Sequence, residues 1–183
     1  MYKWVILFIL IYSNSFGKNA QIKTGGIFAI ENSSSYNVST NLTDNSFQPA
    51  FGFFFEMNFD IFKVQENTCF RVLISGAHIR FYENDSQFMI REIPITFGLR
   101  ALYIPESIGL MGFYIESGVE FVFQSIYIND ERVYGRDNVY FGMIPGFGFE
   151  FYLNDTFLLD LNFRYRGVAL NHFVMGLSFG LYL

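Results

Sequence analysis

The segment VMGLSFGLYL, residues 174–183, separates into two unlike sets when read at alternate positions. Successive side chains of an extended strand point to opposite faces, so Phe173, Met175, Leu177, Phe179, Leu181 and Leu183 share one face. Val174, Gly176, Ser178, Gly180 and Tyr182 share the other. A row of large apolar groups backed by small or polar ones is a half-buried strand. Alternation alone leaves open which face meets the protein interior.

The same period of two recurs down the chain, whereas capped helical periodicity is hard to find. Runs of it fall at 21–31, 49–62, 69–82, 91–104, 111–128, 139–153, 157–166 and 172–183. In the cleanest, Phe157, Leu159, Leu161, Phe163 and Tyr165 alternate with Leu158, Asp160, Asn162, Arg164 and Arg166. Phe51, Phe53, Phe55, Met57 and Phe59 alternate with Gly52, Phe54, Glu56, Asn58 and Asp60. Met143, Phe147, Phe149 and Phe151 likewise face away from Gly142, Gly146, Gly148 and Glu150. The first and third runs have a less regular phase.

Connections between the runs alternate in character. ENSSSYNVSTNLTDNS, YENDSQ, INDERVYGRDN and RGVALNH are mostly the longer or more polar, and KVQEN, PESIG and NDT are the shorter. Successive hairpins of an antiparallel sheet lie at opposite ends. Long loops are therefore expected at one end, and tight turns with both termini at the other.

Composition narrows the surroundings. Charged residues make up 16% of the chain, against roughly 25% in soluble domains, and aromatics make up 21%. That is too little charge to coat a water-facing surface. The net charge of −5 argues against a nucleic-acid partner. The single cysteine, Cys69, excludes an intramolecular disulfide framework or a cysteine metal cluster and reads as a small hydrophobe. MYKWVILFILIYSNSFGKNA, residues 1–20, has the layout of a secretory signal peptide, with cleavage expected after Gly17 or Ala20. Its apolar stretch falls well short of the roughly 20 residues that cross a bilayer as a helix. No cysteine follows it to carry a lipoprotein anchor. Residues 21–183 then form one domain.

Two barrels fit eight alternating strands. A lipocalin-like barrel turns its Phe/Leu face inward, and a transmembrane barrel turns it towards lipid. An eight-stranded interior is only wide enough to be filled by side chains. The many large apolar groups would overfill it, whereas glycines with a few long polar side chains suit it. The fold expected is therefore all-β, an eight-stranded antiparallel transmembrane up-and-down barrel with lipid outside and the last strand closing on the first.

That phase directs Glu56, Asp60, Glu92, Arg100, Glu116, Glu120, Glu150, Asp160, Arg164 and Arg166 into the lumen. Both signs are present, so a paired network offsets the several kcal/mol that each isolated buried charge costs. Tyr82, Tyr127, Tyr140 and Tyr165 near the loops and Tyr103, Tyr152 and Tyr182 near the turns are expected to form two interfacial girdles.

REIPITFGLRALY, residues 91–103, resembles the Glu-Ile-Pro-containing fourth strand of the PorT-like outer-membrane β-barrel family of Bacteroidota. FYIESGVEF (113–121), YFGMIPGFGFEFYLND (140–155) and the apolar terminal strand follow in that family's order, so the resemblance spans residues 50–183. It implies an OmpA/OmpX-like barrel in the bacterial outer membrane, with both termini periplasmic. It also implies a place as an accessory of a larger secretion or assembly complex. Gly176, Phe179, Leu181 and Leu183 resemble the C-terminal signal read by the barrel-assembly machinery, with Leu183 where that signal has Phe or Trp. Partners expected are outer-membrane lipid, that machinery during insertion, and other outer-membrane proteins.

Catalytic chemistry finds little support. Of the two histidines, His78 is expected on the inward face beside Arg80 and is the candidate base; His172 ends a loop. Asn171-His172-Phe173 lacks the serine of the His-x-Ser arrangement found in outer-membrane lipid A deacylases. No local pattern supplies the nucleophile, base and orienting group of a triad. Glu116 and Glu120 read as lumen ion-pair members rather than an acid/base pair. Gly146-x-Gly148 continues into a strand and is no phosphate loop. No metal spacing is present and no cofactor is expected. Asn32-Ser-Ser, Asn37-Val-Ser and Asn41-Leu-Thr read as a solvated polar loop. The functional reading is structural or partner-binding, with a narrow pore and a lipid-modifying enzyme as the alternatives.

Overall fold

The computed structural model describes residues 20–31, 49–82, 88–133, 138–168 and 170–183. Residues 1–19 of the leader expected over 1–20, the glycosylation-like triplets of the first loop and the residues between Tyr82 and Phe88 lie outside them. The elements are β1 (Ala20–Glu31), β2 (Ala50–Gln65), β3 (Thr68–Tyr82), β4 (Phe88–Tyr103), β5 (Met111–Ile128), β6 (Glu131–Arg132), β7 (Asn138–Tyr152), β8 (Phe157–Val168) and β9 (Leu170–Tyr182). Every strand but the two-residue β6 pairs antiparallel with both neighbours, and β9 returns to β1 from Gln21↔Tyr182 to Glu31↔His172. The result is a closed eight-stranded barrel with no helix among the described residues. Closure leaves no unpaired sheet edge, which is the condition for placing strands in hydrocarbon.

The registers accumulate a stagger of roughly ten residues around the barrel, and strands of such barrels tilt by about 35–45°. Tilt sets the width of the lumen and staggers its side chains into tiers. Along each barrel strand inward residues are buried and outward ones exposed, as in β9, where Val174, Gly176, Ser178 and Gly180 are covered and Phe173, Leu177 and Phe179 are open. The outer surface carries cross-strand aromatic contacts between ring centroids 5.1–5.3 Å apart: Phe28 with Phe51, Phe121 with Phe141, Phe147 with Phe163, and Phe157 with Phe179. Such pairs are the unit of sheet stabilisation. In water they would be an aggregation surface; in lipid they are a solvated one.

Several boundaries differ from the periodicity. β2 runs on to Gln65, and β3 begins at Thr68 after a turn at Glu66–Asn67. A register shift between Asp60 and Phe62 turns Phe62 outward to stack on Phe70 at 4.9 Å. That bulge is why the alternation of residues 51–60 does not continue. RGVALNH, expected as a loop, is mostly ladder: Gly167 pairs Asn171 and Val168 pairs Leu170. Backbone pairing persists there although side-chain alternation has lapsed, because a ladder needs only its own N–H and C=O groups. Asn129 and Asp130 both have positive φ, 51° and 64°, and turn β5 into β6, so part of INDERVYGRDN is also a hairpin.

Pairing of β3 with β4 lapses between Gly76↔Ile95 and Ile79↔Glu92, beside Pro94, which has no N–H to give. The other partner strand, β5, still pairs with Pro94 through Val122.

An arginine at Leu177, outward on β9 and 60% exposed, is expected to cost about 2–4 kcal/mol, and one at Tyr82 beside the loop end no more than about 1 kcal/mol. Urea unfolding in lipid vesicles measures the difference.

Candidate functional site

Width determines what the interior holds. Lys23, Glu56, Arg100, Glu150 and Asp160 have no exposed side-chain surface, and Arg71, Glu116, Arg164 and Arg166 almost none. Desolvation of isolated charges on this scale would be prohibitive, so the contacts among them decide whether the barrel is stable.

At the waist, two arginines and two glutamates form a closed ring. Arg100 on β4 donates from Nη2 to Glu116 Oε2 at 2.6 Å and to Glu56 Oε1 at 2.8 Å. Arg164 on β8 donates from Nε to Glu116 Oε1 at 2.5 Å and from Nη2 to Glu56 Oε2. Each carboxylate thus faces two guanidiniums, and four strands are tied across the lumen. Charge-assisted bonds of this fork geometry are about twice as strong as neutral ones.

Towards the turn end, Glu150 on β7 gathers Lys23 Nζ at 2.7 Å, Arg71 Nη1 at 2.9 Å and Tyr152 Oη at 2.7 Å. Arg71 also donates to Asp60 at 2.6 Å and to Tyr182 Oη at 2.9 Å. Lys23 reaches Asp160 at 3.1 Å, which also accepts from Tyr114 Oη at 2.9 Å. The Arg100 guanidinium lies 3.9 Å from the Tyr114 ring centroid, a cation–π contact. Glycines make room for these groups: a Cβ at Gly148 would fall on the Tyr114 ring, and one at Gly176 on the Asn162 amide. β9 contributes space and the Ser178 hydroxyl, and no charge, to the central tiers.

The tier towards the loops is smaller. Glu120 accepts from Thr96 Oγ1 at 2.9 Å and faces Arg166 Nη2 at 3.1 Å. Glu92 accepts from Gln124 at 3.2 Å and lies 4.0 Å from His172 Nε2, whose ring meets Phe81 edge-on at 5.2 Å. Beside it Ile27, Ala29, Ala50, Phe54, Ile79, Phe81, Ile90 and Val174 form an apolar cluster. Cys69, Leu102 and Tyr114 pack together nearer the turns.

All ten charged residues expected in the lumen face inward. Two further cations, Lys23 and Arg71, complete the network and lie on β1 and β3, the strands whose phase the sequence leaves ambiguous. The available signal was register: opposed residues share a face, and Lys23 is opposite Glu56, Arg71 opposite Asp60 and Arg100.

The same register corrects His78. It is opposite outward Phe53, stacks on that ring at 5.3 Å, and faces out with Arg80. Apolar residues stand on both faces of β3, so only its neighbours set the phase. The barrel wall therefore separates His78 from His172, and neither belongs to a triad among the described residues. The tyrosines divide too. Tyr82, Tyr103, Tyr127 and Tyr165 face out, whereas Tyr152 and Tyr182 turn into the lumen as partners of Glu150 and Arg71, and Tyr140 shares the inward face with Val122. The turn-end girdle is reduced accordingly.

A closed antiparallel eight-stranded barrel with an apolar exterior and a filled polar lumen has the fold of the small bacterial outer-membrane barrels. Solved structures agree at the level of fold. Ail, the attachment invasion locus protein of Yersinia pestis, is 13% identical with a TM-score of 0.58, over 90% of this chain and 97% of that one. OprG of Pseudomonas aeruginosa is 11% identical with a TM-score of 0.61, over 90% and 95%. Neisserial surface protein A is 14% identical with a TM-score of 0.57, over 88% and 94%. Neither a protein-family model nor a curated protein matches the sequence.

Replacing Arg100 by Met deprives Glu56 and Glu116 of one guanidinium each and is expected to destabilise the barrel by about 3–5 kcal/mol. Adding Glu116→Leu is expected to recover part of that loss, because the barrel then buries one fewer unpaired carboxylate. Denaturant titrations in detergent micelles measure both.

Proposed function

We propose that this chain is an integral outer-membrane barrel with a structural or partner-binding role, its loop end facing outward and both termini in the periplasm. The observation that carries the reading is the combination of an apolar outer face with a lumen blocked by buried ion pairs at its waist. Such a barrel offers its wall to lipid and its loops to partners, and has neither a water path for solutes nor an assembled catalytic set among the described residues. The resemblance of residues 91–103 and the segments after them to PorT-like barrels supports an accessory place in a larger secretion or assembly complex. The apolar alternation of the last strand supports delivery by the barrel-assembly machinery.

The loops limit the kind of partner. In the sequence, segments 32–48, 83–87 and 129–137 hold Asp44, Glu83, Asp85, Asp130, Glu131 and Asp137 against Arg132 and Arg136. Ail has been solved with the heparin analogue sucrose octasulfate. The acidic loop balance here disfavours a sulfated polyanion and favours a basic or uncharged partner surface.

Two measurements test the reading. An epitope inserted between Asn41 and Leu42 is expected to be recognised on intact cells, whereas one appended after Leu183 is expected to require permeabilised outer membrane; the reverse pattern overturns the orientation. In planar bilayers the purified barrel is expected to show no steady conductance, and well-resolved channels would replace this reading with that of a narrow pore. A lipid-modifying activity abolished by His172→Ala would restore the enzyme.

A further inference from the structure

The outer face of the barrel is almost free of charge, with one exception. Among the described residues, the charged side chains on the outward face of the eight barrel strands are Arg80 on β3 and Arg91 on β4. They are register partners, directly opposite each other. Arg80 is exposed and Arg91 half-buried, with its Nε covered and without a hydrogen-bond partner. Neither has a carboxylate partner among the described residues. Like charges directly opposite on an antiparallel pair are destabilising. In a wall of Phe, Ile and Leu the absence of water makes the repulsion worse.

Depth places the pair. Below Arg91 the outward positions of β4 read Ile93, Ile95, Phe97, Leu99 and Ala101, ending at Tyr103. At about 3.3 Å per residue and a tilt of about 40°, the rise from Arg91 to Tyr103 is roughly 30 Å along the barrel axis. That is close to the hydrocarbon thickness of a bilayer, about 30 Å, or the about 25 Å apolar band of outer-membrane barrels. With Tyr103 at one interface, Arg91 and Arg80 stand at the other, on the loop side. The groups around them suit an interface: Tyr82 beyond Arg80, His78 on the near side of it, and Ser125 opposite Arg91 on β5.

We infer that Arg80 and Arg91 form a seat for the phosphate of a lipid headgroup in the membrane leaflet at the loop end. The inference rests on the outer-membrane reading and its orientation, which make this the outer leaflet, and the occupant is a phosphorylated glycolipid of that leaflet. Two guanidiniums on adjacent strands fork around one phosphate and turn their mutual repulsion into charge-assisted hydrogen bonds. His78 and Ser125 stand near enough on the same face to extend the polar rim. The acyl chains then lie along the aliphatic and aromatic column beneath.

The test uses the full-length protein purified in detergent and native mass spectrometry, with lipid A bearing its two phosphates, the same lipid dephosphorylated, and inorganic phosphate as probes. The wild type is expected to retain phosphorylated lipid A about tenfold better than Arg80→Ser/Arg91→Ser, with the dephosphorylated lipid held weakly by both. Arg80→Lys/Arg91→Lys, which keeps charge but not the fork and is the milder change should the serine variant not fold, is expected to fall between them. Equal retention by wild type and variants overturns the assignment, as does saturation by inorganic phosphate with no preference for lipid. Glu83→Gln/Asp85→Asn, in the segment between the two strands, is expected to leave retention unchanged or raise it; a loss would mean that carboxylates hold the lipid, and would also overturn it. β-type circular dichroism and a heat-dependent shift in electrophoretic mobility are read on the same samples. A barrel that folds in detergent but shows no phosphate preference fails the lipid seat alone, whereas a protein soluble without detergent fails the membrane reading.

Discussion

Glu56 and Glu116 lie deep in the lumen, and each is held by the guanidiniums of Arg100 and Arg164. The rest of the structure depends on that ring. An eight-stranded barrel has no room for a bulky apolar filling once its outer face has taken the large hydrophobes. What remains for the interior is glycine and long, thin polar side chains, and those are tolerable only if every charge meets its opposite. The ring ties β2, β4, β5 and β8 across the lumen. Lys23, Arg71, Glu150 and Asp160 extend the ties to β1, β3 and β7, so closure and internal pairing support each other.

The same constraint explains the division of labour among residue types. Tyr114, Tyr152 and Tyr182 serve the network rather than the interface: the first two donate to Asp160 and Glu150, and Tyr182 accepts from Arg71. Glycines at 148 and 176 stand where a methyl group would displace a ring or an amide. The loop-side tier of Glu92, Glu120, Arg166 and His172 lies beside an aliphatic and aromatic cluster, so polar and apolar groups share that end of the lumen. A lumen built in this way is a structural core made of charges. The surfaces left for interaction are the loops and the lipid-facing wall, and among the described residues of that wall the two outward arginines are the one departure from an uncharged exterior.

Much of this was legible in the residues. Phe157 to Arg166 and Phe173 to Leu183 alternate without error, and so place their own faces. Asp160, Arg164 and Arg166 could be assigned inward from that pattern. β3 could not be read so, because Leu73, Ile79 and Phe81 on one face are matched by Phe70, Val72 and Ile74 on the other. Its phase came from β2 and β4, and with it came Arg71 in the lumen and His78 outside. The bulge near Ile61 showed only as the point where the alternation of residues 51–60 stops, and the hairpin pairing of Gly167 with Asn171 left no hydrophobic trace, since it is an arrangement of backbone hydrogen bonds.

The sequence by itself therefore determined the architecture: strands throughout, an apolar outside, a charged inside and a count of eight. These follow from side-chain period and from how much volume each face must accommodate, which are local quantities. Only the tertiary structure decided which charge meets which. Glu150 is brought to Arg71 and Glu56 to Arg164 across the barrel, by the stagger with which eight strands close. The opposition of Arg80 and Arg91 is set in the same way, by the pairing of β3 with β4. Register is a property of neighbouring strands together, and no single strand contains it.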